Sequence, residues 1–78
     1  MKNKDVAELL ERIGALLEIK GELIFKIRAY YKAAENIAHL GEDIEKIRQD
    51  NRLSEIPGVG PAIKEKIIQY LEIGRAHV

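Results

Sequence analysis

Residues 56–66, IPGVGPAIKEK, hold both prolines of the chain and two of its six glycines within the five positions Pro57 to Pro61. Pro61 suits the first turn of a helix, where its missing N–H costs nothing. Gly58 and Gly60 permit positive φ. A glycine-bearing turn before a helix leaves backbone N–H groups pointing outward at the positive end of the helix dipole, a geometry suited to a phosphate. Neither glycine puts a side chain in a phosphate's way, and Val59 between them can plug into the core and fix the turn. A tight helical hairpin that binds nothing is the competing reading of the same residues.

Outward from this turn the apolar pattern is helical throughout. In DVAELLERIGALLEIKG, Val6, Leu9, Leu10, Ile13, Leu16 and Leu17 follow helical spacing, with Asn3 or Asp5 as candidate N-cap and Gly21 as terminator. Gly14 inside that helix costs about 1 kcal/mol relative to Ala and marks a close helix approach. In ELIFKIRAYYKAAENIAHLG, Ile24, Ile27, Tyr31, Ala34 and Ala38 share a face, Ala33 and Ala34 let a neighbour come near, and Gly41 closes the pattern. EDIEKIRQDN reads as a short helix with Ile44 and Ile47 inward and Asp50 and Asn51 at its end. RLSEIPGVG is a brief helical turn leading into the hairpin. The last helix, PAIKEKIIQYLEIG, carries Ile63, Ile67, Tyr70 and Leu71 on one side, and Gly74 ends it, with Arg75–Val78 a frayed tail. No segment alternates as a strand would. The fold class is all-α, a compact bundle of four main short helices in one domain, residues 1–78, with a tight helical hairpin at about 53–74.

Composition narrows the function classes. At 78 residues the chain buries only about 60–65% of its unfolded surface. Aromatics are 5% of the chain, so the core must be built from Ile, Leu, Val and Ala. Without Cys, disulfides and thiolate metal sites are excluded. No signal peptide or membrane span is expected; the expected location is cytoplasmic, nucleoid-associated in a prokaryote. The 13 basic and 13 acidic residues cancel, so anion binding must come from local placement and not from a global field. His39 and His77 are too isolated for a metal site. Glu42, Asp43 and Glu45 read as a helix-entry cluster favoured by the dipole.

Hydrophobic-Pro-Gly-Val-Gly followed by Ile63 and a Lys/Glu-rich helix resembles the helix-hairpin-helix motif of DNA repair and replication proteins. A second stretch, GELIFKIRAYYKAAENI (residues 21–37), resembles the Gly-Glu-Asn-Pro-Phe-Lys-Val-Arg-Ala-Tyr region in the amino-terminal domain of family X DNA polymerases. The two motifs stand in the family's order and spacing, and the resemblance runs from about Val6 to Gly74. One departure is that Leu23-Ile24 replaces the family's Asn-Pro, so the second helix is expected to begin a turn early, near Glu22.

The resemblance implies partners and sites. The partner would be DNA, gapped, nicked or 5′-phosphorylated, held through backbone phosphates without sequence readout. The phosphate contacts would come from Gly58, Val59, Gly60, Lys26, Tyr30, Lys64, Lys66 and Arg75. A monovalent cation, K or Na, would sit at the hairpin carbonyls of Ile56 and Gly58. The domain itself would require no cofactor, and divalent metal would belong only to a missing polymerase domain. Lys66 falls at the family's Schiff-base nucleophile for removing a 5′-deoxyribose phosphate by β-elimination. The family's further phosphate-binding lysine falls on Ala62, and the histidine before its second-helix lysine falls on Phe25.

Helical geometry bears on these assignments. Lys26 and Tyr30 are neighbours on one face. Lys66, one position before Ile67 and three after Ile63, lies at the margin of the apolar stripe and is better placed than Lys64 for a semi-buried pocket. A Schiff base needs a neutral amine, whereas free Lys titrates near 10.4, so desolvation or a neighbouring cation such as Lys26 must act on it. Arg28 and Lys32 extend a basic strip or simply form a solvated face. The chain cannot polymerise, and is expected to be a monomeric piece of a longer nucleotidyltransferase. Three functions stay open: DNA backbone binding, lyase chemistry at Lys66, and a helix-hairpin-helix module that docks a protein.

Overall fold

Helix α1 (Asn3–Lys20) and helix α2 (Ile24–Ala38) pack against each other more extensively than any other pair of elements. A short helix α3 (Ile44–Gln49), a 3-10 turn (Leu53–Glu55) and helix α4 (Pro61–Ala76) complete the order. The computed structural model describes residues 1–76, and among these there is no strand. The all-α bundle of four short helices with a helix-hairpin-helix is thus the observed architecture.

The core is aliphatic. Leu10, Ile37, Ile44, Leu53, Ile67 and Val6 are the largest fully buried side chains, and Ile56, Val59, Ile63 and Leu71 join them from the hairpin and α4. The α1–α2 interface follows small residues more than large ones. Ala7 and Gly14 on α1 and Ala33 and Ala34 on α2 are buried, while Leu16 and Ile24 stand in solvent and Tyr31 lies at the edge. Val6 and Leu10 on α1 and Ile27 and Ala34 on α2 face inward as expected, while Leu16, Ile24 and Tyr31 do not. A Cβ at Gly14 would lie 3.2 Å from the Tyr31 ring, so the close approach predicted there is real, and Tyr31 roofs it from the margin. Ala38 is also exposed, and the inward face of α2 runs through Ile27, Ala33, Ala34 and Ile37.

Helix ends explain the connections. Gly21 adopts φ 75°, and Gly21 N–H and Glu22 N–H donate to the Glu18 and Leu17 carbonyls. This left-handed cap fixes the turn so that α2 starts at Ile24, with Leu23 extended, and not a turn early at Glu22. Neither Asn3 nor Asp5 caps α1. Asn3 is buried, donates to the Glu42 carbonyl and accepts from the Ile44 N–H at 2.9 Å. It thereby caps α3, beside Asp43, which accepts from the Glu45 N–H. Asn51 closes α3 at φ 57°, as its place in the sequence suggested. Helix α4 continues through Gly74 to Ala76, so Gly74 does not end it and Arg75 is helical; His77 and Val78 lie outside the described residues.

Candidate nucleic-acid interface

The hairpin is a Pro-Gly turn that hands over directly to α4. Val59 N–H donates to the Ile56 carbonyl at 3.0 Å, and Gly58 adopts φ 88°, the arrangement of a type II turn with Pro57 and Gly58 at its centre. Gly60 does not use positive φ. Its carbonyl accepts from the Lys64 N–H at 2.9 Å, which makes it the entry residue of α4. The two glycines differ in surroundings as well. A Cβ at Gly58 would lie 3.4 Å from the Ala33 amide nitrogen and the Asn36 and Lys32 side chains, whereas one at Gly60 would meet open space.

Helix α2 braces this turn. Asn36 Nδ2 donates to the Pro57 carbonyl at 2.6 Å, while Val59 is buried in the core. Among the described residues, the N–H groups of Gly60, Ala62 and Ile63 reach no acceptor. Unpaired first-turn amides beside an uncovered glycine are the elements of an anion cradle. The Val59 N–H is committed to the turn, so Val59 serves the cradle by anchoring it. Of the carbonyls assigned a cation, that of Ile56 already accepts one bond, and that of Gly58 has no donor among the described residues.

One open cavity of about 460 Å³ lies between the cradle and the start of α2. Gly58 and Gly60 line it together with Lys26 and Tyr30, so four of the residues singled out in the sequence come together. Tyr30 is half-buried against the core, and burial pushes its phenol up. Lys26 is not alone: its ammonium lies 3.9 Å from the Glu22 carboxylate. The rest of the lining is largely apolar and includes Leu17, Phe25, Ala29 and Ala62.

Lys66 is not part of this cavity. It is exposed and lines a separate groove between α1 and α4 with Leu9, Ile13 and Tyr70. Lys64, half-buried, is the more sheltered of the two, which reverses the expected ranking. Position 66 is flanked by buried Ile63 and Ile67, but Lys66 itself is exposed, because α4 packs only lightly on α1. Lys26 pairs with Glu22, and Lys26 and Lys66 line different cavities. Arg75 lies near the end of α4.

Sequence reasoning passed over two residues. Glu22 was legible through its i,i+4 spacing to Lys26. Asn36 carried no local signal, because its partner is 21 positions away. Among the described residues no group of three or more His, Cys, Asp or Glu side chains could hold a metal, and no helix is long and apolar enough to cross a membrane.

A helix-hairpin-helix domain model matches residues 1–76. The DNA polymerase/3′-5′ exonuclease PolX of Bacillus subtilis (strain 168) is 32% identical over 76 residues, 97% of this chain. The chain spans 13% of that relative's length.

Proposed function

Because the chain belongs to the helix-hairpin-helix domain family and is related to family X DNA polymerase homologues, we propose that it binds the DNA backbone without sequence preference. The cradle formed by Gly60 and the first turn of α4 holds a phosphate, and Lys26 supports it from α2. The observation that carries this reading is the set of unpaired amides at Gly60, Ala62 and Ile63 beside an uncovered glycine. Such contacts position DNA and do not read bases. Gapped or nicked DNA is the proposed form, on the strength of the likeness to family X DNA polymerase homologues. In a longer PolX-like protein the domain would then hold the gap for the rest of the chain.

Titration of labelled gapped duplex across a salt series tests this. With about two or three phosphates engaged, log K should fall with log salt at a slope of about −2 to −3. Affinity that ignores salt would favour a protein-docking module instead.

Lyase chemistry at Lys66 lacks comparable support. Lys66 does not line the cavity that gathers Lys26 and Tyr30, and the residue is exposed. The position of the family's further phosphate lysine is Ala62. Borohydride trapping on a 5′-deoxyribose-phosphate substrate should give no adduct that depends on Lys66. An adduct lost in Lys66→Ala would restore the lyase reading.

A further inference from the structure

Helix α2 meets the hairpin along a second edge, outside the cavity that holds Lys26 and Tyr30. Asn36 grips the Pro57 carbonyl, and a Cβ at Gly58 would lie 3.4 Å from Lys32 Cγ, so the stem of Lys32 runs against the turn. The ammonium is a short run of methylenes beyond that atom, and Lys32, Pro57 and Gly58 are all exposed. Arg28 is exposed one helical turn earlier on the same face. Neither Arg28 nor Lys32 lines the cavity, and neither forms an ion pair among the described residues, even with nearby Glu35. A chain of zero net charge needs local cations to displace the counterions of DNA. The cradle amides carry no net charge, and Lys26 is shared with Glu22. Arg28 and Lys32 are thus the unpaired cations that α2 brings to the outer edge of the turn. Their Cβ atoms stand about 5–6 Å apart, close to the separation of neighbouring phosphates along a strand.

We infer that Lys32 and Arg28 form a phosphate track along the outer edge of α2, taking phosphates that neighbour the one at the cradle. This rests on the proposed DNA-backbone function. Lys32 has two parts in it: its stem covers the turn at Gly58, and its charge meets the backbone beside that turn. Arg28 extends the contact by one phosphate along the helix. Much of the salt dependence of binding then comes from these two side chains and not from the hairpin itself.

The test is a titration of labelled gapped duplex across a salt series with the wild-type chain, Lys32→Gln, Arg28→Gln, Lys32→Arg, Lys4→Gln and Gly60→Glu. Glutamine keeps much of the stem against Gly58 and removes the charge. Lys32→Gln and Arg28→Gln should each weaken binding about two- to fivefold at low salt. Each should also make the slope of log K against log salt shallower by about one. Lys32→Arg keeps the charge and should keep the wild-type slope. Lys4→Gln removes the same charge from an exposed position in the first turn of α1 and should leave slope and affinity nearly unchanged. An unchanged slope in Lys32→Gln, whether or not affinity falls, would make Lys32 a brace or a solvated side chain and overturn the inference. An equal change in Lys4→Gln would overturn it too, as an effect of net charge alone. Both results leave backbone binding intact. A wild-type affinity that ignores salt, or that survives Gly60→Glu undiminished, would instead overturn the function on which the track rests.

Discussion

Gly58 and Gly60 lie two positions apart and meet opposite demands. Gly58 holds positive φ with α2 backbone close behind it, so Gly58→Ala should destabilise the fold by about 1–2 kcal/mol, read as a lower midpoint in urea denaturation. Gly60 has ordinary φ and open space, so Gly60→Ala should change stability by under about 0.5 kcal/mol. On the proposed cradle its methyl group would stand in the phosphate's path, so its effect should appear in DNA affinity. The sequence placed both glycines in a phosphate-compatible turn but could not separate these roles, because φ depends on the turn type and the space behind each Cα depends on α2. Lys66 shows the same limit. Its place beside Ile67 was readable, but its exposure depends on how lightly α4 meets α1.

At the scale of elements, polar side chains tie the helices across long sequence separations. Asn3 is buried in α1 and satisfies the first amide of α3, so Asn3→Ala should cost about 1–3 kcal/mol by leaving that N–H unpaired. Thermal denaturation followed by circular dichroism would measure it. Arg52, between α3 and the 3-10 turn, pairs with Glu42 and Asp50, and Arg48 joins α3 to α4 through Glu72. The Arg52 guanidinium holds the Glu42 carboxyl below the usual carboxylate range. A lowered folded-state pKa means the contribution is present above the unfolded value and is lost as pH falls through the folded one. Stability should therefore decline on acidification below about pH 4.5, and Glu42→Gln should flatten that part of the profile. An unchanged profile in the variant would remove Glu42 as its source. Helix number and order were legible from apolar spacing, as were the ends marked by Gly21, Asn51 and Pro61; the α1 cap, the start of α2, its close at Ala38 and not at Gly41, and the end of α4 were not. The inward faces of α3 and α4 were legible too, as were Val6 and Leu10 on α1 and Ile27 on α2, but Leu16, Ile24, Tyr31 and Ala38 fall outside the core because Ala7, Gly14, Ala33 and Ala34 carry the closest α1–α2 contact.

For the whole molecule, a net charge of zero means that association with DNA depends on one small surface and not on a long-range field. The helix-hairpin-helix could be seen in residues 56–66 together with 21–37, since each motif constrains the other. The shared cavity of Lys26, Tyr30 and the hairpin depended on the tertiary fold, as did the exclusion of Lys66 from it. The most direct test of the cradle is an amide-resolved NMR titration of the isotope-labelled chain with gapped DNA. The largest shifts should fall on the N–H groups of Gly60, Ala62 and Ile63, and should shrink together as salt is raised. Shifts confined to the exposed apolar end formed by Leu16, Ile19, Leu23 and Ile24, with those three amides unmoved, would contradict phosphate binding at the hairpin.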